Sequence, residues 1–196
     1  MKAIMMTVRL WWFYLTYKGI KKAEIRKRFA KDFKGKIFEC VSKTNWKKDL
    51  MKIPEEEREF FKQFVGKVGL CFECDKVEEI VDDDISNRTK TMSEKELLKA
   101  SCLSEEELVD YLPFSNLNDN CEWVLGYAVH VTKVEPFDKP KEIKEFRQYC
   151  DKHFSWWKNK CLDCKAYTPD TDIEDYCNKN KLALTSAPQS FMFIEV

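Results

Sequence analysis

The sequence predicts an α+β fold: a small, mostly antiparallel β-barrel with peripheral helices. Three observations predict it. Strand-length apolar segments outnumber what one helix could cover on a parallel sheet, so closure into a barrel is the natural arrangement. Two capping boxes, Ser93 to Glu96 and Ser104 to Glu107, mark short helices between the strands. With 44% hydrophobic and 14% aromatic residues and only 5 Gly and 6 Pro, the 196-residue chain can bury a core, which excludes collagen-like or wholly disordered structure. The length suits one domain, 1–196, with an acidic helical insertion at about 78–120 and a Cys-rich insertion at about 148–182.

The elements follow in order. Residues 2–8 (KAIMMTV) are apolar and partly β-branched, as a buried first strand is. Residues 10–18 are aromatic and Leu-rich and read as a short helix, with Gly19 free to take the left-handed cap conformation. Residues 21–28 read as a strand with Ala23 and Ile25 on one face and Glu24, Arg26 and Arg28 on the other. Further strands are expected at 36–42 and 66–75, the latter with Val68, Leu70, Phe72 and Cys74 on one face. Residues 54–64 open on Pro54 and three glutamates, a helix start. Residues 123–137 are strongly β, ended by Pro136 and Pro140; 141–149 is a short helix, and Phe191 to Val196 closes the fold. The longest apolar run, Leu10 to Tyr17, falls far short of the roughly 20 residues a spanning helix needs. No export signal is evident, so a cytoplasmic protein with no membrane partner is expected.

The formal net charge is zero, from 34 Lys and Arg against 34 Asp and Glu. It is a cancellation. Residues 1–52 hold 15 basic and 4 acidic side chains, a net of +11, and residues 53–122 hold 8 and 19, a net of −11. The basic quarter can attract phosphate through its local field. Alternatively, the two segments pair within the fold.

Within the basic quarter, Gly19-Ile20-Lys21-Lys22-Ala23-Glu24-Ile25-Arg26 fits the pattern G-x-K-x-x-E-x-R. Lys21 offers a compact charge and Arg26 a planar fork for phosphate or base edges. Glu24 can accept from a base amino group or hold the two cations. The plainer reading is a solvated, salt-bridged strand face. Lys27 and Arg28 would add phosphate contacts.

In this run the chain resembles the ASCH family, a branch of the PUA-like superfamily. It is similar in particular to the ASCH-like group of phages and mobile elements. The MMTVR opening, the motif, the GYAVHVTKVEPFDKP segment and the APQSFMFIEV ending occur in that group's order. The resemblance implies a PUA-like barrel with a cleft beside the motif that binds RNA or a nucleotide, including a modified base. The cleft would be built by Lys21, Glu24, Arg26, Gln189 and Ser190, with His130 of the long strand able to line it. One ASCH branch is similar to amidohydrolases acting on N4-acylated cytidine, which use a lysine, a threonine and a glutamate from another strand. Lys21 matches the lysine, but Glu24 stands where the threonine would be, so any catalytic role falls to Lys21 and Glu24 without a hydroxyl nucleophile. The group often has Trp where Val129 stands, and P-P-Q-S-W where Ala187-Pro188-Gln189-Ser190-Phe191 stands. Base stacking then falls to Phe191, Tyr127, Trp11 or Trp12.

The chain has 9 Cys. Cys150-x2-His153 followed by Cys161-x2-Cys164 has the spacing of a structural zinc site, with Cys177 as an alternate ligand. Reduced thiols in a polar loop are the competing reading. Cys71 and Cys74 are three apart in a strand, point to opposite faces and read as structural. The expected partner is RNA or a nucleotide, with DNA the less favoured polymer. A protein partner, as in a counter-defence module, would use the acidic insertion, which could also compete with the ligand for the cleft.

Overall fold

A computed structural model describes residues 1–81, 92–112, 116–117, 123–150 and 182–196. The fold is α+β. Strands β1 (Lys2–Val8), β3 (Gly35–Val41), β4 (Val68–Cys74), β8 (Thr132–Lys141), β9 (Arg147–Gln148) and β10 (Phe191–Glu195) form one sheet in the order β8-β4-β3-β1-β10-β9. Its pairs are antiparallel except β1 with β3, so the sheet is mixed. Strands β2 (Ala23–Arg26), β7 (Trp123–His130) and β5 (Val77–Val81) form a second, antiparallel sheet in the order β2-β7-β5, and β6 (Asn116–Leu117) pairs with β7. Among the described residues the two sheets are not closed into one barrel.

The central strands of the large sheet are buried on both faces, which is why β1 carries no polar alternation. Ile4, Met6 and Val8 enter the main core beneath helix α1 (Leu10–Tyr17), while Ala3 and Met5 enter a second core with Phe38, Phe146 and Ile194. Aromatic rings dominate the main core: Phe13 and Tyr17 of α1 meet Phe61 and Phe64 at ring separations of 5.1–6.2 Å. Gly19 has φ +66° and ends α1 as expected, with its amide donating to Thr16.

Several expectations are corrected. The 123–137 strand is two strands broken at Val131, and Pro136 and Pro140 lie inside β8 instead of ending it. β8 is an edge strand, where a missing amide donor is tolerated. Residues 141–149 form one 3-10 turn, Ile143–Glu145, followed by β9. Residues 54–64 divide into a 3-10 turn, Glu55–Glu57, and helix α3 (Arg58–Lys62), and α2 (Trp46–Leu50) precedes them. In β4, Val68 enters the second core while Leu70, Phe72 and Cys74 enter the first, because the register shifts between Val68 and Leu70. Gly69 sits at that shift, where a Cβ would lie 2.4 Å from Phe13 and 2.6 Å from Phe64. Cys71 and Cys74 do lie on opposite faces, in separate cores, and burial pushes their thiols up to about 12 and about 11.

The acidic insertion is integrated into the fold. Its first residues are β5, and its two capped helices, α4 (Glu94–Ser101) and α5 (Glu105–Tyr111), pack Leu97 and Leu108 onto Ile25, Ile80 and Leu125 of the small sheet. The Lys22 amide donates to the Ala100 carbonyl at 2.7 Å, tying the end of α4 to the start of β2. Among the described residues no helix is long and apolar enough to cross a membrane.

Candidate functional site

The G-x-K-x-x-E-x-R run forms the floor of a cleft. The left-handed Gly19 turns the chain out of α1, the Ile20 and Lys21 amides cap the Leu15 carbonyl, and β2 begins at Ala23. Every residue of β2 is buried: β7 pairs with it, the α4–α5 unit covers the Ile25 face, and Arg26 on the other face reaches Met6 and Thr7 of β1. The charged face is therefore not solvated. Lys21, Glu24 and Arg26 are only 3%, 6% and 7% exposed.

Burial of three charges requires their mutual neutralisation. Glu24 stands between the cations: Lys21 Nζ donates to its Oε2, and Arg26 Nη2 lies 3.0 Å from its Oε1. Arg26 Nη2 also donates to the Thr7 carbonyl at 2.8 Å and meets the Met6 sulfur, while Arg26 Nε, buried, has no partner among the described residues. Desolvation alone would raise the Glu24 pKa, but the Lys21 and Arg26 charges outweigh it and hold it below the usual carboxylate value. Lys21 Nζ also sits 4.9 Å from the centre of the Trp12 ring.

A second carboxyl lies behind this cluster. In β3, Ile37 and Val41 point into the main core, and alternation sends Glu39 the same way. Glu39 is fully buried; its Oε1 accepts from Thr16 Oγ1 at 3.4 Å, and its Oε2 has no partner among the described residues. Desolvation and the nearby negative charge of Glu24 push its pKa up to about 8. At neutral pH the group is a carboxylic acid, so the cluster holds two cations, one carboxylate and one neutral acid.

The cavity above the floor has a volume of about 430 Å³, within the range of small-molecule sites. Its lining includes Thr7, Arg9 and Trp12 from the end of β1 and the start of α1, and Leu103, Glu107, Asp110 and Tyr111 from the α4–α5 unit. Residues of the basic and the acidic segment thus line one cleft. The cations at the floor are buried, and the carboxylates of Glu107 and Asp110 stand at the exposed lip.

Not all of the residues expected from sequence reach this cavity. Lys27 and Arg28 are exposed beyond the end of β2; Lys27 Nζ lies 5.2 Å from the Tyr111 ring. Gln189 is exposed and Ser190 half-buried, and neither lines the cavity. Their turn is tied to it indirectly, since Thr7 donates from its amide to Ser190 O at 3.2 Å and from Oγ1 to Pro188 O at 2.6 Å. His130 does not line the cavity either; its Nε2 is 2.7 Å from Glu78 Oε1. Of the four stacking candidates only Trp12 lines the cavity, while Phe191 packs on Phe29 and Tyr127 against the main core. Of the zinc candidates Cys150 is half-buried, and His153, Cys161, Cys164 and Cys177 lie outside the described residues.

Arg9, Glu39, Glu107, Asp110 and Tyr111 were not expected at the site. Glu39 carried a signal, a lone carboxylate amid the apolar residues of a predicted strand; the others depend on how distant segments meet. The site is an ion-pair cluster roofed by aromatic and acidic walls. No family model matches the chain, and no curated protein matches it.

Proposed function

We propose that the chain is an ASCH-like domain of PUA-like architecture whose cleft binds a nucleotide, free or displayed by RNA. The observation that carries this reading is the buried Lys21–Glu24–Arg26 cluster at the floor of a cavity walled by Trp12 and Tyr111. Two cations and a carboxylate fixed by one another offer donors and an acceptor to a base edge, and the aromatic walls offer stacking surface. The cavity suits one nucleotide, so a duplex would not enter it. In the PUA-like reading the two sheets are the halves of a partly opened barrel. Titration of the protein with RNA, DNA and mononucleotides at several salt concentrations tests the proposal. Binding of RNA or nucleotide that weakens with salt and is lost in Lys21→Ala supports it; absence of binding to every one of these ligands overturns it.

Glu39 favours a second reading, hydrolysis of an N4-acylated cytidine-type nucleoside in the same cleft. Glu39 does not line the cavity, so in this reading it acts through the Lys21–Glu24 pair, setting the charge and protonation of Glu24, which does line it. Incubation with N4-acetylcytidine, followed by chromatography, decides: cytidine and acetate formed by the wild type and not by Glu39→Gln would establish it. The zinc proposal stands on the spacing of Cys150, His153, Cys161 and Cys164, and metal analysis of the purified chain should find about one zinc per molecule.

A further inference from the structure

Arg9 is the one cation in the cavity lining that is substantially open to solvent among the described residues, with 43% of its side chain exposed. It is also held still. Its Nε donates to Asp49 Oδ2 at 3.0 Å and its Nη2 to Asp49 Oδ1, a two-point fork on a carboxylate that is itself fully buried. Asp49 is fixed in turn within α2, its amide donating to the Asn45 carbonyl. The fork consumes two of the three guanidinium nitrogens, and Nη1 has no partner among the described residues. A planar fork locked on one edge offers its remaining edge with little ordering cost.

The neighbouring groups give the cleft a direction. Arg9 is the residue that caps the start of α1 and Trp12 lies in its first turn, and both line the cavity. A base lying on Trp12 would leave its sugar-phosphate within reach of Arg9. The α5 part of the lining carries Glu107 and Asp110, which repel phosphate. Lys21 and Arg26 are committed to Glu24 at the floor.

We propose that Arg9 is the phosphate-binding residue of the cleft, with Asp49 as its positioning residue, so that the site selects phosphorylated nucleotides over nucleosides. This rests on the nucleotide-binding reading of the Lys21–Glu24–Arg26 floor. The phosphate is either the monoester of a free nucleotide or the diester of an RNA chain.

Calorimetric titration of the full chain tests it, with the four ribonucleosides, their 5′-monophosphates and a short oligoribonucleotide as probes. The wild type is expected to bind a monophosphate or the oligonucleotide about tenfold more tightly than the matching nucleoside, the scale of one charge-assisted contact. Arg9→Lys keeps the charge, loses the fork and should shrink that ratio several-fold without changing nucleoside affinity. Asp49→Asn should shrink it as well, which a purely structural role would not do selectively. The double variant Arg9→Met with Asp49→Asn leaves no lone buried carboxylate, so it protects against misfolding, and should bring the ratio close to one. A ratio that depends on Arg9 for the oligonucleotide alone assigns the diester; dependence with the monophosphates assigns the monoester. A ratio unchanged in Arg9→Lys and in the double variant overturns the proposal. Failure of the wild type to bind any probe overturns the nucleotide reading, and this proposal with it.

Discussion

Thr16 and Glu39 meet on the buried side of α1, the hydroxyl 3.4 Å from Glu39 Oε1, in a position where water does not reach the carboxyl. The unfolded chain releases this proton near the ordinary glutamate value of 4.5, whereas the folded chain keeps it to about 8. Between those values the folded state binds more protons than the unfolded state, so stability falls as pH rises. A carboxyl fully protonated in one state and ionised in the other costs about 1.4 kcal/mol per pH unit. Glu39→Gln keeps the shape and removes the titration. Urea denaturation from pH 5 to 8 should show the wild type losing stability relative to this variant, with the difference levelling off above pH 8. Parallel curves for the two proteins would refute the buried acid.

Gly126 of β7 predicts a coupling between fold and site. A Cβ there would lie 2.7 Å from the Arg26 carbonyl oxygen and 2.6 Å from Leu112. The first contact is backbone and cannot swing away. Gly126→Ala should therefore push β2 and the end of α5 outward, costing about 2 kcal/mol as an overpacked site does. Because Arg26 and Tyr111 move with those elements, ligand affinity should fall even at temperatures where the variant is fully folded. Calorimetry at low temperature checks this; unchanged affinity would mean that the cleft tolerates the shift.

Trp12 is an aromatic wall beside the buried cations, with Lys21 Nζ 4.9 Å from its ring centre. If a base stacks there, Trp12→Ala should weaken nucleoside and nucleotide binding alike by about tenfold, within the range measured for base–aromatic stacking. Trp12→Phe should recover part of the loss. An effect on nucleotides alone would place the phosphate, not the base, at this wall.

How much of this was legible in the sequence follows from what is local. The first strand, the aromatic helix, the turn at Gly19 and the two capping boxes depend on neighbours within a few residues, and the structure has them. The spacing of Lys21, Glu24 and Arg26 also placed them together. Their burial was not legible, because it depends on how β1, α1 and β3 meet β2: Arg26 reaches Met6 and Thr7, Lys21 lies by the Trp12 ring, and Glu39 stands behind Glu24. The break at Val131 was hidden for a similar reason: its flanks are equally β-prone, and only pairing with different sheets separates β7 from β8. The shift at Gly69 flips Val68 to the other core because two phenylalanine rings leave room for no side chain there.

The carboxylates of Glu107 and Asp110 lead to the last prediction. Both line the cavity from the acidic insertion, facing a floor whose cations are already paired. An anionic ligand must approach past them, so they lower its affinity and association rate through a field that salt screens. Glu107 also closes the capping box of α5, accepting from the Ser104 amide at 3.0 Å, a bond that Gln can still make. Glu107→Gln with Asp110→Asn should thus leave stability nearly unchanged. Affinity for an oligoribonucleotide should rise several-fold at low salt, and the gain should shrink towards zero at high salt. Stopped-flow binding at a series of salt concentrations separates the cases. A gain that persists at high salt would point to steric relief, and a loss of affinity would mean that these carboxylates accept hydrogen bonds from the ligand's amino groups.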